Sequence, residues 1–154
     1  MRLLATLVGL SFCFSALADE VTQPSFKWTL LDQHDKAYTL DNDADVLLIA
    51  RSMSAAKLLN AAIEDCPEGY LEARHMVYVA DIEKMPSLIK MVAVPAMRSA
   101  KYRIMLDQDG RVATRYGGDR DTVQWLTLKD GAVTHEERFT DGAKLKQAVN
   151  QHGQ

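Results

Sequence analysis

Two cysteines are the first residues that could do chemistry in this chain of 154 residues. Cys13 lies in an N-terminal apolar run, and Cys66 lies at the end of a helical pattern. If the N-terminal run is removed, Cys66 remains alone and cannot form an intramolecular disulfide or support a two-cysteine redox cycle. The C-terminal end of a helix raises a thiol pKa. We therefore expect Cys66 to be a buried structural residue, with redox sensing or an intermolecular disulfide as alternatives.

Arg51, Ser52 and Ser54 form a second candidate site. They lie between an apolar run at 46–50, typical of a buried strand, and a helical pattern for which Ser54 is the predicted N-cap. Such a junction is the usual ligand position in open α/β sheets. A guanidinium, two hydroxyls and free backbone N–H groups could bind an anion there. The alternative is that the serines cap the helix and Arg51 forms a surface ion pair.

Acidic residues and histidines do not complete a metal site. The alternating aspartates at 41–45 and the stretch Asp107–Gly110 lack the full ligand set of a calcium loop, so we expect solvated turns. The four histidines have no zinc-binding spacing, and no G-x-S-x-G motif supports a Ser-His-Asp site. We predict no metal and no cofactor.

Composition and the N-terminus restrict the partners and the compartment. The chain has 18 basic and 21 acidic residues, interspersed along its length, which disfavours nucleic acids and anionic membranes. Arg2, the apolar run 3–17 and the sequence Ala16-Leu17-Ala18 are typical of a cleavable signal peptide, and the run is shorter than the roughly 20 residues of a membrane span. We predict a signal peptide at 1–18, one domain at 19–154, a periplasmic or secreted location and no membrane anchoring after cleavage.

The elements that must position these residues alternate between strand and helix patterns. Continuous apolar runs indicate buried strands, and apolar stripes at helical spacing indicate helices. Asp130-Gly131 predicts a hairpin turn, and residues 111–116 fit either a strand or a short helix. The predicted order is a hairpin at 26–31 and 37–40, strand 46–50, helix 54–66, strand 75–80, helix 86–100 with a kink or break at Pro95, strand 102–106, strands 122–128 and 132–139, and helix 143–151.

This order, together with three local motifs, resembles the thioredoxin-like superfamily on its peroxiredoxin-like (AhpC/TSA-type) branch. The motifs are FKWTLLD at 26–32 with its returning strand, YRIMLD at 102–107 with DGRVA at 109–113, and the hairpin around Lys129-Asp130-Gly131. The run IARSMSAA at 49–56 is also similar to YtfJ-like periplasmic proteins. The resemblance implies an α/β three-layer sandwich with a mixed central sheet and an N-terminal β-hairpin.

The chain departs from that superfamily at the position of its reactive thiol. Thioredoxin-like enzymes carry a cysteine at the N-terminus of the helix after the central strand, and residues 51–57 contain none. We therefore expect a binding or accessory module without thiol-redox chemistry, and not an enzyme. The alternative is a one-cysteine thiol peroxidase or thiol-disulfide partner that uses Cys66. We expect an unknown protein partner or a small anionic ligand, and a monomer or weak dimer.

Overall fold

The computed structural model describes residues 26–154 of the chain. The predicted signal peptide at 1–18, Cys13 within it and the predicted start of the domain at residue 19 lie outside the described residues. Within the described part, no helix has both the length and the apolar character that crossing a membrane requires.

In residues 26–154, seven strands form one sheet, which four α-helices and one 3-10 helix connect. The strands are β1 (Thr29–Asp32), β2 (Ala37–Thr39), β3 (Val46–Ala50), β4 (Met76–Asp81), β5 (Met105–Asp107), β6 (Val123–Lys129) and β7 (Ala132–Phe139). The α-helices are α1 (Met53–Ile63), α2 (Tyr70–Ala73), α3 (Ser87–Met97) and α4 (Gly142–Gln151), and the 3-10 helix is Ala113–Tyr116.

The sheet is mixed, with strand order β2-β1-β5-β4-β3-β6-β7. The central strands β3, β4 and β5 are parallel, and the flanking strands are antiparallel to their neighbours. The order confirms the predicted mixed α/β architecture and the N-terminal hairpin. Every residue of β3 is buried, as its continuous apolar run predicts for a strand covered on both faces.

The two faces of the sheet have different covers. On one face, Leu48 packs in a cluster with Leu59 of α1 and Leu145 of α4, and α3 joins this cluster through Val94 and Met97. On the other face, a second cluster places the 3-10 helix and the loop before β3 over the sheet. Among the described residues, no long helix packs on this second face. Residues 110–118, which include the 3-10 helix, cover the carboxyl ends of the strands there.

The start of α1 corrects the prediction that Ser54 is its N-cap. Ser52 has extended backbone angles, and its Oγ accepts a hydrogen bond from the Ala55 N–H at 3.1 Å, which makes Ser52 the N-cap. Ser54 lies in the first turn. The helix also ends at Ile63, before Cys66, and a turn follows in which the Cys66 N–H donates to the Ile63 carbonyl at 3.0 Å.

Other elements differ from expectation for local reasons. α3 continues through Pro95 and ends at Met97, so the predicted break is wrong. β5 is shorter than predicted because Gln33 binds the backbone before it, through the Tyr102 carbonyl at 2.7 Å and the Ile104 N–H at 2.8 Å. Residues 113–116 form the 3-10 helix, which decides between the two alternatives for that stretch.

Candidate functional site

Four polar side chains lie in a row at the carboxyl edge of the sheet. Asp107 ends β5, Asp81 ends β4, Arg51 follows β3 and Gln124 lies near the start of β6. Asp81 and Asp107 are register partners in the parallel pair β4–β5. Because side chains alternate along a strand, the row continues the apolar columns on the face that the 3-10 helix covers. We call these four residues the polar row.

Residues 110–118, which we call the cap segment, lie over the polar row, and one end of the row holds the first part of this segment. The Asp107 side chain is fully buried, and its Oδ2 accepts hydrogen bonds from the N–H groups of Val112 at 3.0 Å and Ala113 at 2.8 Å. These two bonds fix the beginning of the 3-10 helix over the sheet. The expectation that Asp107 lies in a solvated turn is therefore wrong, because its side chain turns inward.

The other end of the row holds the rest of the cap segment. Nη2 of Arg51 donates to the Ala113 carbonyl at 2.9 Å, to the Gly117 carbonyl, and to Oε1 of Gln124 at 2.7 Å. Nε2 of Gln124 in turn donates to the Tyr116 carbonyl at 3.1 Å. The buried backbone carbonyls of the cap segment thus find their partners in two side chains of the row, which ties the segment to β3 and β6.

The Arg51 guanidinium is buried and electrically compensated. Arg51 is 7% exposed, and this burial lowers its pKa, while the carboxylates of Asp81, Asp119 and Glu136 oppose that shift. An arginine stays protonated under such conditions, so the site holds a permanent cation with acidic neighbours. Its Nη1 is buried without a hydrogen-bond partner, as is Oδ1 of Asp107. Two buried polar atoms of the row therefore keep unused hydrogen-bonding capacity.

Ser52 and Ser54 lie beside Arg51, but their hydroxyl protons are already used. Ser52 Oγ donates to the Arg120 carbonyl at 2.5 Å and accepts from the Ala55 N–H. The two serine hydroxyls are 3.0 Å apart, and because the Ser52 proton points to Arg120, Ser54 must be the donor between them. The structure thus brings Arg51, Ser52 and Ser54 together, and in it their side chains connect β3, α1 and the loop that follows the cap segment.

An open cleft of about 280 Å³ lies between the cap segment and the β4–α3 loop. Basic and acidic side chains line the cleft in equal numbers. The basic ones are Arg51, Lys84 and Arg120, and the acidic ones are Asp81, Glu83 and Asp119. The cleft lies at the carboxyl edge of parallel strands, where open α/β sheets bind ligands. Its volume suits a small molecule and its lining suits a ligand that carries both charges.

Cys66 lies far from this edge. The 11 residues of α1 span about 16 Å. Ser52 lies at the N-terminal end of this helix, and Cys66 lies three residues past its C-terminal end. Cys66 is free and buried, at 9% exposure, as predicted. Burial raises the pKa of the Cys66 thiol, and the charges of Arg74 and Lys146 offset this only in part.

Sequence reasoning missed Gln124, Asp81 and Asp107 as members of this edge. Asp81 and Asp107 each end an apolar run, and that position was the available signal, since parallel strands bring their carboxyl ends together. Gln124 carried no signal because its role depends on the pairing of β3 with β6. Among the described residues, no three His, Cys, Asp or Glu side chains are placed to hold a metal ion.

Comparison with known proteins gives the fold. No family model matches this chain, and comparison of its sequence with curated proteins finds no relative. Among solved structures, StoA of Bacillus subtilis superposes with a TM-score of 0.54 at 11% identity, covering 81% of this chain and 97% of that one. Peroxidoxin BcpB of Mycobacterium tuberculosis gives 0.52 at 14% identity, covering 86% and 97%.

A third similar structure is the thioredoxin domain of a thiol-disulfide oxidoreductase from Bacteroides vulgatus. Its TM-score is 0.50 at 12% identity, over 84% of this chain and 96% of that one. The predicted thioredoxin-like, peroxiredoxin-like fold is thereby confirmed. At such low identities the likeness concerns the fold alone, and the function has to be argued from the residues of this chain.

Proposed function

We propose that this chain is an exported thioredoxin-like binding or accessory module that works without thiol chemistry. One observation carries the proposal: Arg51 and Ser52 fill the junction of β3 and α1, and their polar atoms hold the cap segment and the helix N-terminus. In a thioredoxin-like enzyme a thiolate at this helix N-terminus would be stabilised by the dipole. Export rests on the signal-like sequence at 1–18.

The alternative that uses Cys66 is not favoured. A thiol peroxidase or a thiol-disulfide partner needs an accessible thiolate, and the Cys66 thiol is buried with a raised pKa. Cys66 also lies beyond the last turn of α1, a helix of 11 residues that is about 16 Å long and begins at the sheet edge. A peroxide-consumption and insulin-reduction assay on the wild type and Cys66→Ser tests this half of the proposal, and we expect no Cys66-dependent turnover.

The cleft beside the polar row is the proposed ligand site, and the charges that line it favour a zwitterion over a simple anion. A ligand with only negative charge would approach Lys84 and Arg120 but would also meet Asp81, Glu83 and Asp119. A zwitterionic ligand, such as an amino acid or the end of a peptide, would place its carboxylate near the cations and its ammonium near the carboxylates. Complementary charges of both signs give specificity, so a zwitterion is the ligand class that we propose.

Arg51 and Ser52 contribute to this site by positioning the backbone that forms one side of the cleft. Arg51 fixes the Gly117 carbonyl and Ser52 fixes the Arg120 carbonyl, and residues 117–120 form one side of the cleft. A preformed site loses less conformational entropy on binding. The buried Nη1 of Arg51 adds one unsatisfied donor behind the cap segment.

A thermal-unfolding screen tests the ligand class. The probes are inorganic phosphate, succinate and a panel of amino acids and dipeptides, and we expect a zwitterion to raise the unfolding midpoint more than either anion. Lys84→Ala and Glu83→Gln should each weaken that stabilisation, because each removes one charge from the lining. Lys129→Ala, in the distant β6–β7 hairpin, is the matched control. Equal or larger stabilisation by phosphate would reject the zwitterion, and no stabilisation by any probe would favour a protein partner instead.

A further inference from the structure

Helix α3 presents large apolar side chains to solvent. Leu88 is 79% exposed, Val92 73%, Met91 71% and Ile89 46%, and no residue of the helix is fully buried. A helix that is apolar on all sides is normally covered on all sides. The outward side of α3 is therefore an anomaly on a domain whose other helices turn their apolar stripes inward.

The exposed residues form a regular second stripe. Leu88, Met91, Val92 and Pro95 follow the spacing i, i+3, i+4, i+7, which places them along one side of the helix. Val94 and Met97 lie on the opposite side and pack against the core. One face of α3 thus attaches the helix to the domain, and the other has the pattern with which two helices pair.

We propose that the outward stripe of α3 pairs with the same stripe of a second copy of this chain, forming an antiparallel helix pair about a two-fold axis near Val92. Val92 is the sixth of eleven helical residues, so the stripe is centred on it. A surface of this kind is self-complementary under two-fold symmetry, because each copy offers the same residues in reverse order.

The exposed area fits a weak dimer. The three most exposed residues of the stripe, Leu88, Met91 and Val92, offer roughly 400 Å² of mainly apolar surface, which is within the range of the patches on monomeric proteins. Two such stripes in contact would bury at most about 800 Å², which is below the roughly 1,000 Å² of a stable interface and in the range of a weak one. We therefore expect a dimer that forms at high concentration and dissociates on dilution.

Charges at the ends of α3 favour the antiparallel arrangement. Arg98 and Lys101 follow the helix, while Glu83 and Lys84 precede it. Parallel pairing would bring both pairs of C-terminal cations together, and both helix dipoles would point the same way. Antiparallel pairing separates the two cationic ends and places each near the Glu83–Lys84 end of the other copy, where the two charges cancel, with opposed dipoles.

Cross-linking tests the geometry. In protein carrying Cys13→Ser and Cys66→Ser, Val92→Cys should form a disulfide-linked dimer under mild oxidation, because the two Val92 positions meet at the axis. Leu88→Cys is the matched control: it lies about 6 Å along the helix from Val92, so its two copies would be roughly 12 Å apart in an antiparallel pair, beyond the reach of a disulfide. Cross-linking at neither position, or equally at both, would overturn the proposal.

Light scattering coupled to gel filtration tests the surface itself. We expect the wild type to become dimeric as its concentration rises into the millimolar range, and Met91→Glu to stay monomeric. Met53→Glu is the control, because Met53 is also exposed, at 52%, but lies on α1. Far-UV circular dichroism confirms that both variants are folded. A monomeric wild type, or a Met91→Glu protein that dimerises as the wild type does, would contradict the proposal.

Discussion

Gly118 lies against the guanidinium of Arg51, so closely that a Cβ added at Gly118 would come within 2.4 Å of Nη1. The backbone of Gly118 has a φ of +110°, which side chains rarely adopt. The close approach lets the Gly117–Gly118 turn cover a buried cation while the Gly117 carbonyl accepts a hydrogen bond from it. The construction of the sheet edge therefore depends on a glycine at 118.

Gly118→Ala should destabilise the protein by about 3 kcal/mol, because it combines backbone strain with a steric clash against a buried group. The matched control is Gly69→Ala, at a φ of +80° where an added Cβ would meet nothing within 4 Å. The control should cost roughly 1 kcal/mol, from backbone strain alone. Urea denaturation measures both. Equal losses in the two variants would contradict the contact between Gly118 and Arg51.

Asp107 should make stability depend on pH. Burial raises the pKa of Asp107 above its ordinary value of 3.8, and Asp81 and Asp109 add to the shift, while the N–H groups of Ala113 and Val112 oppose it. The folded protein then binds the Asp107 proton more tightly than the unfolded chain does. Stability linked to this group is present at pH below 3.8 and is lost as the pH rises through the folded pKa.

Asp107→Asn removes that titration. The free energy of unfolding of the variant, measured relative to the wild type, should therefore increase as the pH rises from about 3 to 7. Gln108→Ala is the control, because the exposed Gln108 is the chain neighbour of Asp107 and carries no titratable group, so its difference from the wild type should not depend on pH. Urea denaturation across this range checks the slope. A difference that falls with rising pH would mean that the pKa of Asp107 is lowered, contrary to the buried position described above.

Much of this architecture follows from sequence pattern. The boundaries of β3 were predicted because an apolar run between acidic and polar residues is unambiguous, and α4 was predicted from its apolar stripe. In the structure Asp141 caps α4 by accepting hydrogen bonds from the Ala143 and Lys144 N–H groups. The cap of α1 was misplaced by two residues, since Ser52 and Ser54 have the same capping chemistry and only the backbone angles distinguish them. Residue propensities indicate that a helix begins near these serines, but they do not determine the residue at which it begins.

The polar row could not be predicted from the sequence pattern. Its members come from four strands that are separated in the chain, and Asp107 looked like a turn residue because a glycine follows shortly after it. The inward rotation of its side chain depends on the Val112 and Ala113 N–H groups that need partners. Likewise, the bonds of Gln33 that shorten β5 join residues about seventy positions apart.

Cys66 should react with a thiol reagent only when the protein unfolds, because the thiol is buried and its pKa is raised. A suitable comparison is Met53→Cys in a Cys66→Ser background, which places an exposed thiol in the first turn of α1. The helix N-terminus should lower the pKa of that thiol and make it react quickly. Time courses with an aromatic disulfide reagent give both rates. Rapid reaction of Cys66 in the native protein would contradict the burial.

The measurement that tests the central claim most directly is turnover by the purified protein in peroxide-consumption and insulin-reduction assays, with the wild type and Cys66→Ser side by side. A thioredoxin-like edge built from Arg51 and Ser52 in place of a thiol predicts no turnover above the uncatalysed rate in either protein. Turnover by the wild type that Cys66→Ser abolishes would contradict the account, because it would place the chemistry on the buried thiol beyond α1.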